Sequence, residues 1–155
     1  MAATILVVDD DKSIRELLRL HLSSAGYEVH VAKDAIPVKI NAPGAIARQL
    51  PDFGIADGAI GAEYFTLNAG TDLAPLLAGL DDDACHAAHW GYMITGDVVV
   101  TYRDGSTERC TTGDVFHWPP GHSVRVDRNA ELILFSPQAE HTAVMDHILD
   151  KLATA

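Results

Sequence analysis

The hydrophobic pattern changes once along this 155-residue chain, near residues 35 and 36. Before that point a β-branched run at 4–9 precedes a stretch with apolar residues at helical spacing, and an alternating segment follows. Beyond it, short alternating segments are separated by turn residues. One pattern is typical of a parallel unit and the other of an antiparallel sheet. We therefore predict two parts, residues 1–35 and 36–155.

The first part is predicted to be a strand, a helix and a second strand. Residues 4–9 predict a buried strand, residues 13–25 a helix that Gly26 ends, and residues 27–32 the second strand. Short connections make this a right-handed parallel βαβ unit. Two strands and one helix cannot bury a core alone. We expect this part to pack on the second part, pair with another chain, or stay partly disordered.

These residues resemble the start of bacterial response-regulator receiver domains, over residues 1–34. The residues that carry the resemblance lie at 5–18, 25–29 and 32–35. In that family an acidic pair after the first strand binds magnesium beside a phosphoacceptor aspartate, which ends the third strand. The resemblance implies that Asp9 and Asp10 would be this acidic pair.

The later receiver elements are not visible in the sequence. The best candidate for a third strand, residues 51–57, is interrupted by Gly54, and prolines break any helical pattern before it. We expect Asp57 to be a solvated loop residue. No lysine follows at the end of a fifth strand. The first part is therefore predicted to be a receiver remnant that is not phosphorylated.

The second part is predicted to be a small antiparallel barrel. Its Asp104–Gly105 dipeptide is a strong hairpin signal, and residues 138–152 read as a closing helix. The segments predicted to be strands lie at 62–67, 89–95, 98–102, 106–110, 115–118, 123–126 and 130–135. This spacing is typical of a sandwich or barrel.

Residues 90–102 and 113–122 resemble the two motifs of the cupin superfamily, within a region of about 36–150. The resemblance implies a mainly β fold, a cupin-type jelly-roll β-barrel, with the N-terminal βαβ fragment and the C-terminal helix added. Cupins are usually dimeric, and many hold a divalent metal through two histidines and a glutamate of the first motif and a histidine of the second. Their activities vary widely, so the fold implies little about function.

The usual cupin ligands are replaced in this chain. Counting back from Gly96, His89 occupies the position of the family's glutamate, and Cys85 lies near that of a histidine. His122 follows the proline-glycine turn of the second motif. We predict that Cys85, His89 and His122 bind zinc, iron, manganese or nickel and leave one position open. The alternative is that the two histidines are hydrogen-bonded residues around an empty or organic-ligand cavity.

Several other side chains have weaker predictions. His86 and His117 could add ligands to the same metal, whereas His141 and His147 are expected at the surface. Four aromatic residues are expected in the barrel core: Trp90, Tyr92, Phe116 and Trp118. The pattern does not say whether Glu63 or Tyr64 faces inward.

The composition of the chain limits the classes of partner that it is expected to bind. The net charge of −11 at pH 7 disfavours nucleic acid and anionic membranes, and no apolar run is long enough to span a membrane. Two cysteines make no disulfide framework, so we expect free thiols and a cytoplasmic protein. Exposed strand edges and the cupin resemblance favour a homodimer.

The leading functional hypothesis is a cupin-fold protein that binds a small molecule, a divalent metal, or both in its barrel, and carries a non-phosphorylatable receiver remnant. One alternative is a metal-dependent cupin enzyme of dioxygenase or isomerase type. Another is a two-component signalling protein. A third is an engineered or accidental chimera with no dedicated function, because the family changes at residues 35 and 36 without a linker.

Overall fold

The computed structural model describes residues 3–9, 11–32 and 36–154. It divides the chain into two compact units, Met1–Pro37 and Val38–Ala155. Asp10, one member of the predicted acidic pair, lies outside the described residues. Within those described ranges, every helix is too short or too polar to cross a bilayer.

The first unit contains the predicted βαβ segment, which is confirmed. Strand β1 (Thr4–Val8) pairs in parallel with β2 (Glu28–Ala32), and helix α1 (Lys12–Ser24) connects them. Asp11 caps the helix, because its Oδ1 accepts hydrogen bonds from the backbone N–H groups of Ser13 (2.6 Å) and Ile14 (3.3 Å).

The apolar side chains of α1 are largely exposed. No residue of this helix is buried, and Leu17 is 54% exposed. Leu6 of β1 is also about half exposed. The unit therefore shows the shortage of core that two strands and one helix imply.

The second unit is an antiparallel seven-stranded β-barrel domain closed by a C-terminal helix. This confirms the predicted mainly β fold class. Its strands are β3 (Val38–Ala42), β4 (Ala45–Ala56), β5 (Gly58–Leu67), β6 (His89–Tyr102), β7 (Thr107–Thr111), β8 (Val115–Trp118) and β9 (His122–Pro137). They pair in the order β3-β4-β5-β9-β6-β7, and β8 also pairs with β6. The helices are α2 (Ala74–Leu77) and α3 (Gln138–Ala153), and Asp81–Asp83 form one 3-10 turn.

Two pairs of predicted strands are single long strands in the structure. Residues 89–95 and 98–102 both belong to β6, and residues 123–126 and 130–135 both belong to β9. The break that the sequence suggested at Gly96 is a bulge in the pairing of these two strands, and Gly96 has a φ of +99°. An added Cβ there would collide with the backbone of β9, so glycine permits the close approach.

The stretch predicted as the best third receiver strand is part of an antiparallel hairpin. Strand β4 runs through residues 51–56 and returns as β5, with Ala56 opposite Gly58. Asp57 is exposed at this turn. Residues 51–56 therefore belong to the antiparallel sheet and are not a third strand of the parallel sheet of β1 and β2.

The barrel core is built by buried side chains of β5, β6, β7, β8 and β9. Phe116 and Trp118 are buried and stack with their ring centroids 3.9 Å apart. Trp90 and Tyr92 were also predicted in the core, but they are 46% and 44% exposed, so that prediction was wrong. In the part of β6 before the bulge at Gly96, the buried positions are the odd-numbered His89 and Met93, whereas Trp90 and Tyr92 face outward. The Phe116 ring covers Gly91, which lies directly opposite.

We predict that residues 36–155 fold without the first unit, because all seven strands of the barrel and α3 lie beyond Pro37. The truncated protein should be soluble and should melt in one cooperative transition, as followed by circular dichroism and calorimetry. The full chain is the control. A disordered truncated product would show that the barrel needs the first unit.

We also predict that acetyl phosphate does not phosphorylate the chain. Phosphoryl transfer needs the acceptor and the metal-binding carboxylates held together, and Asp57 lies in an exposed hairpin turn. Intact-mass spectrometry should show no added phosphate. A phosphate adduct that disappears in Asp57→Asn would contradict the prediction.

Candidate metal centre

Four buried polar residues lie side by side on the inward face of four neighbouring strands. Gln49 of β4 is opposite Glu63 of β5. Ser136 of the adjacent strand β9 lies opposite Gly61, two residues before Glu63 on β5. His89 is the first residue of β6, which pairs with the other edge of β9. All four are buried, and Glu63 is 0% exposed. We call this set the polar stripe.

A backbone bridge brings Cys85 and His122 together beside the stripe. The Cys85 N–H donates to the His122 carbonyl at 2.8 Å, and the Gly121 N–H donates to the Cys85 carbonyl at 2.7 Å. Gly121 has a φ of +92°, which ends the preceding diproline turn and directs the chain into β9. The bridge fixes both Cα positions independently of any bound ligand.

Cys85, His89 and His122 converge on one point. Each offers one ligand atom, and these atoms all lie within 4.8 Å of one another. Cys85 Sγ is 3.4 Å from His89 Nε2. All three residues are buried, so little solvent competes for their lone pairs.

Hydrogen bonds at the far side of each ring orient the two histidines. His122 Nδ1 is 2.7 Å from the Pro119 carbonyl, which can only accept. His122 therefore carries its proton on Nδ1 and leaves Nε2 as a lone pair. His89 Nδ1 is 2.7 Å from Ser136 Oγ, and its Nε2 faces Cys85. This arrangement is typical of metal-binding histidines.

Burial keeps these groups neutral. Desolvation lowers the pKa of His122 to about 4 and that of His89 well below its ordinary value, with nearby histidines adding to the effect on His89. Desolvation also raises the pKa of the Cys85 thiol to about 11. Cys85 is thus poorly suited to act as a nucleophile, which needs a stabilised thiolate. A bound metal would instead displace the thiol proton.

The three residues open on a small inner cavity of about 60 Å³. Its other walls are mainly apolar, and Val144, Met145 and Ile148 of α3 close one side. This space holds a few water-sized molecules, whereas pockets for organic ligands usually exceed roughly 300 Å³. A larger outer cleft of about 540 Å³ lies between the β3–β4 hairpin and α3.

The two additional ligands considered from the sequence do not join this cluster. His86 is half-buried and does not belong to the converging group. His117 is exposed and stacks on Trp90, with ring centroids 5.2 Å apart. Since Phe116 and Trp118 point inward from β8, His117 between them has to point outward.

His141 is a buried residue that the sequence analysis placed at the surface, and that prediction was wrong. It is 4% exposed, and its ring centroid lies 4.5 Å from that of His89. Its Nδ1 is 3.1 Å from Glu63 Oε1. The signal was present, because His141, Val144, Met145 and Ile148 share one face of a helix. His147 is half-buried, and its Nε2 lies 3.1 Å from the Ala78 carbonyl.

Comparisons with known proteins return both resemblances noted in the sequence. Response regulator MprA of Mycobacterium sp. strain KMS is 44% identical over 57 residues, which are 37% of this chain and 23% of MprA. The chain therefore spans less than a quarter of the length of the curated relatives it matches. No protein-family model matches the chain.

Solved structures similar to the chain include cupins. An RmlC-like cupin from Shewanella frigidimarina has 20% identity and a TM-score of 0.46, covering 66% of this chain and 85% of that one. Ectoine synthase from P. lautus has 15% identity and a TM-score of 0.47, covering 64% and 67%. Salicylate 1,2-dioxygenase from Pseudoaminobacter salicylatoxidans has 19% identity and a TM-score of 0.48, covering 87% and 36%. No activity, substrate or metal is carried over at this level of similarity.

We predict that the barrel loses stability as pH falls from about 6.5 to about 4. The pKa of His122 is lowered in the folded protein, so the unfolded chain binds more protons in this range. The shift corresponds to about 3 kcal/mol of unfolding free energy. Urea unfolding at several pH values measures the free energy of unfolding. Between pH 6.5 and 4 this free energy should fall less in His122→Gln than in the wild type. The exposed-histidine control, His117→Gln, should keep the wild-type slope, and equal slopes in all three proteins would contradict this account.

Proposed function

We propose that the barrel binds a divalent metal ion through Cys85 Sγ, His89 Nε2 and His122 Nε2. The distance of 3.4 Å between Cys85 Sγ and His89 Nε2 carries this proposal. A tetrahedral zinc ion, with Zn–S and Zn–N bonds of about 2.3 and 2.0 Å, separates such a pair of ligands by roughly 3.5 Å. The two atoms are therefore already separated by about the distance expected between two ligands of a tetrahedral zinc ion.

The donor set favours zinc, iron(II) or nickel over manganese. One thiolate and two imidazoles are borderline-soft ligands, which suit these ions better than manganese. Three protein ligands leave a fourth position for water or a small exogenous ligand, as in catalytic zinc sites. When bound, the metal would supply Lewis acidity at that position.

The surrounding residues support binding of a very small ligand. Val144, Met145 and Ile148 of α3 line one side of the inner cavity, and its volume of about 60 Å³ is too small for an organic substrate. A dioxygenase or isomerase acting on an organic substrate would need α3 to move. We therefore favour a metal-binding protein with a small ligand over a metal-dependent enzyme of those types.

A second candidate function is binding of an organic ligand in the outer cleft. Phe65, Met145 and Ile148 line both this cleft and the inner cavity, so a single layer of side chains separates them. The cleft volume of about 540 Å³ is in the range of small-molecule sites. This function becomes the better account if the protein binds no metal.

We further propose that residues 1–35 are a receiver remnant without phosphotransfer, since Asp57 lies in an exposed hairpin turn. A signalling role would need the missing receiver elements from another chain. The resemblance changes from one family to the other at residues 35 and 36 without a linker. An engineered or accidental fusion therefore stays one proposal for the origin of the chain.

A homodimer is also part of the proposal. Among the described residues, β1 and β2 form a two-stranded sheet whose outer edges carry no further strand. Native proteins usually cover such edges. Light scattering across a wide concentration range should give at least the dimer mass, and a monomer throughout would contradict it.

The metal proposal predicts which variants lose the ion. Metal content of protein grown with zinc and iron should fall to background in Cys85→Ala, His89→Ala and His122→Ala, because two remaining ligands hold a divalent ion poorly. His86→Ala and His117→Ala should keep wild-type content and serve as matched controls. Elemental analysis measures all of them.

Retention of metal in the three ligand variants would contradict the proposed site. Loss of metal in His86→Ala or His117→Ala would show that the ligand set differs from the one proposed. A wild-type protein that contains no metal after growth in metal-replete medium would leave the outer cleft as the functional candidate.

A further inference from the structure

We propose that Ser136 and Glu63 are positioning residues for His89. In this relay the His89 Nδ1–H donates to Ser136 Oγ, and the Ser136 hydroxyl donates to Glu63 Oε2. The relay holds His89 in the one tautomer whose Nε2 lone pair faces Cys85. Its effect on metal binding rests on the function proposed above, whereas its effect on the tautomer does not.

The direction of the hydrogen bonds in the relay follows from which of its groups can donate a hydrogen and which can accept one. Ser136 Oγ lies 3.3 Å from Glu63 Oε2 and 2.7 Å from His89 Nδ1. The Ser136 hydroxyl donates to Glu63 Oε2, so its one hydrogen is used in that contact. Ser136 then offers a lone pair to His89, which places the imidazole proton on Nδ1.

Neighbouring residues hold Glu63 in place for this contact. Gln49 Nε2 donates to Glu63 Oε1 at 3.4 Å across the β4–β5 pair. Gly61 lies on the same strand and directly opposite Ser136, and an added Cβ there would be 2.8 Å from Glu63 Oε1. Gly61 thus leaves space for the carboxylate to lie along β5.

Helix α3 adds the last neighbour of the carboxylate. His141 Nδ1 approaches Glu63 Oε1 at 3.1 Å, but its geometry does not make a hydrogen bond. The same ring packs against His89. Burial of a carboxylate at 0% exposure is costly, and apolar packing alone would be served by an apolar residue. A task in orienting His89 accounts for its presence.

The test separates the relay from a merely structural role. In Ser136→Ala the hydroxyl is lost, in Glu63→Gln the carboxylate becomes an amide, and Ser136→Thr keeps a hydroxyl at the same position. Tyr64→Phe is the matched control. Tyr64 is the residue after Glu63, and it takes no part in the relay because its hydroxyl donates to Glu131 at 2.7 Å.

Two readouts are needed for each protein. Nitrogen-15 NMR of the metal-free protein reports which nitrogen of His89 carries the proton. Titration with cobalt(II), followed by its thiolate charge-transfer absorption, gives the metal affinity. We expect Ser136→Ala to lose the single Nδ1–H tautomer of His89 and to bind the metal about 10–100-fold more weakly. Glu63→Gln should weaken binding less, because its amide oxygen can still accept the Ser136 hydroxyl hydrogen. Ser136→Thr and Tyr64→Phe should match the wild type in both readouts.

The outcomes distinguish the two proposals. Wild-type protein with the His89 proton on Nε2 would overturn the relay directly, even if no variant folded. Unchanged tautomer and affinity in Ser136→Ala would also overturn it. A wild-type protein that binds no cobalt, but whose His89 tautomer depends on Ser136, would support the relay and refute the metal proposal.

Discussion

Four neighbouring polar side chains are buried in the barrel, and they have to find hydrogen-bond partners within the protein because solvent does not reach them. Gln49, Glu63, Ser136 and His89 do so across four neighbouring strands. This requirement fixes the rotamer of each side chain. The contact with Ser136 uses Nδ1 of His89, so Nε2 of the same ring is left to face Cys85.

The chemistry of the site follows from its burial. Neutral histidines and a protonated thiol are stable in apolar surroundings. The neutral imidazoles already offer lone pairs to a metal, whereas Cys85 would become a strong ligand only when a metal displaced its proton. The same burial argues against a reactive cysteine. The small inner cavity limits what could bind beside the metal, and α3 forms its wall. Any larger ligand would therefore depend on the mobility of this helix.

Much of the fold could be predicted, because the alternation of apolar residues and the turn dipeptides report local structure directly. The side-chain direction was harder to predict, since it depends on the register of long-range pairing. His89 and Trp90 are adjacent, yet one is buried and the other exposed. Glu63 and His141 come from segments outside both cupin-like motifs, so spacing within the motifs could not place them beside the predicted ligands.

The central claim is that one sulfur and two imidazole nitrogens of this chain hold a divalent metal. X-ray absorption spectroscopy of the metal in the purified full chain tests it most directly. The account predicts one sulfur neighbour at about 2.3 Å and at least two nitrogen neighbours at about 2.0–2.1 Å. A shell made only of oxygen and nitrogen, without sulfur, would contradict the account.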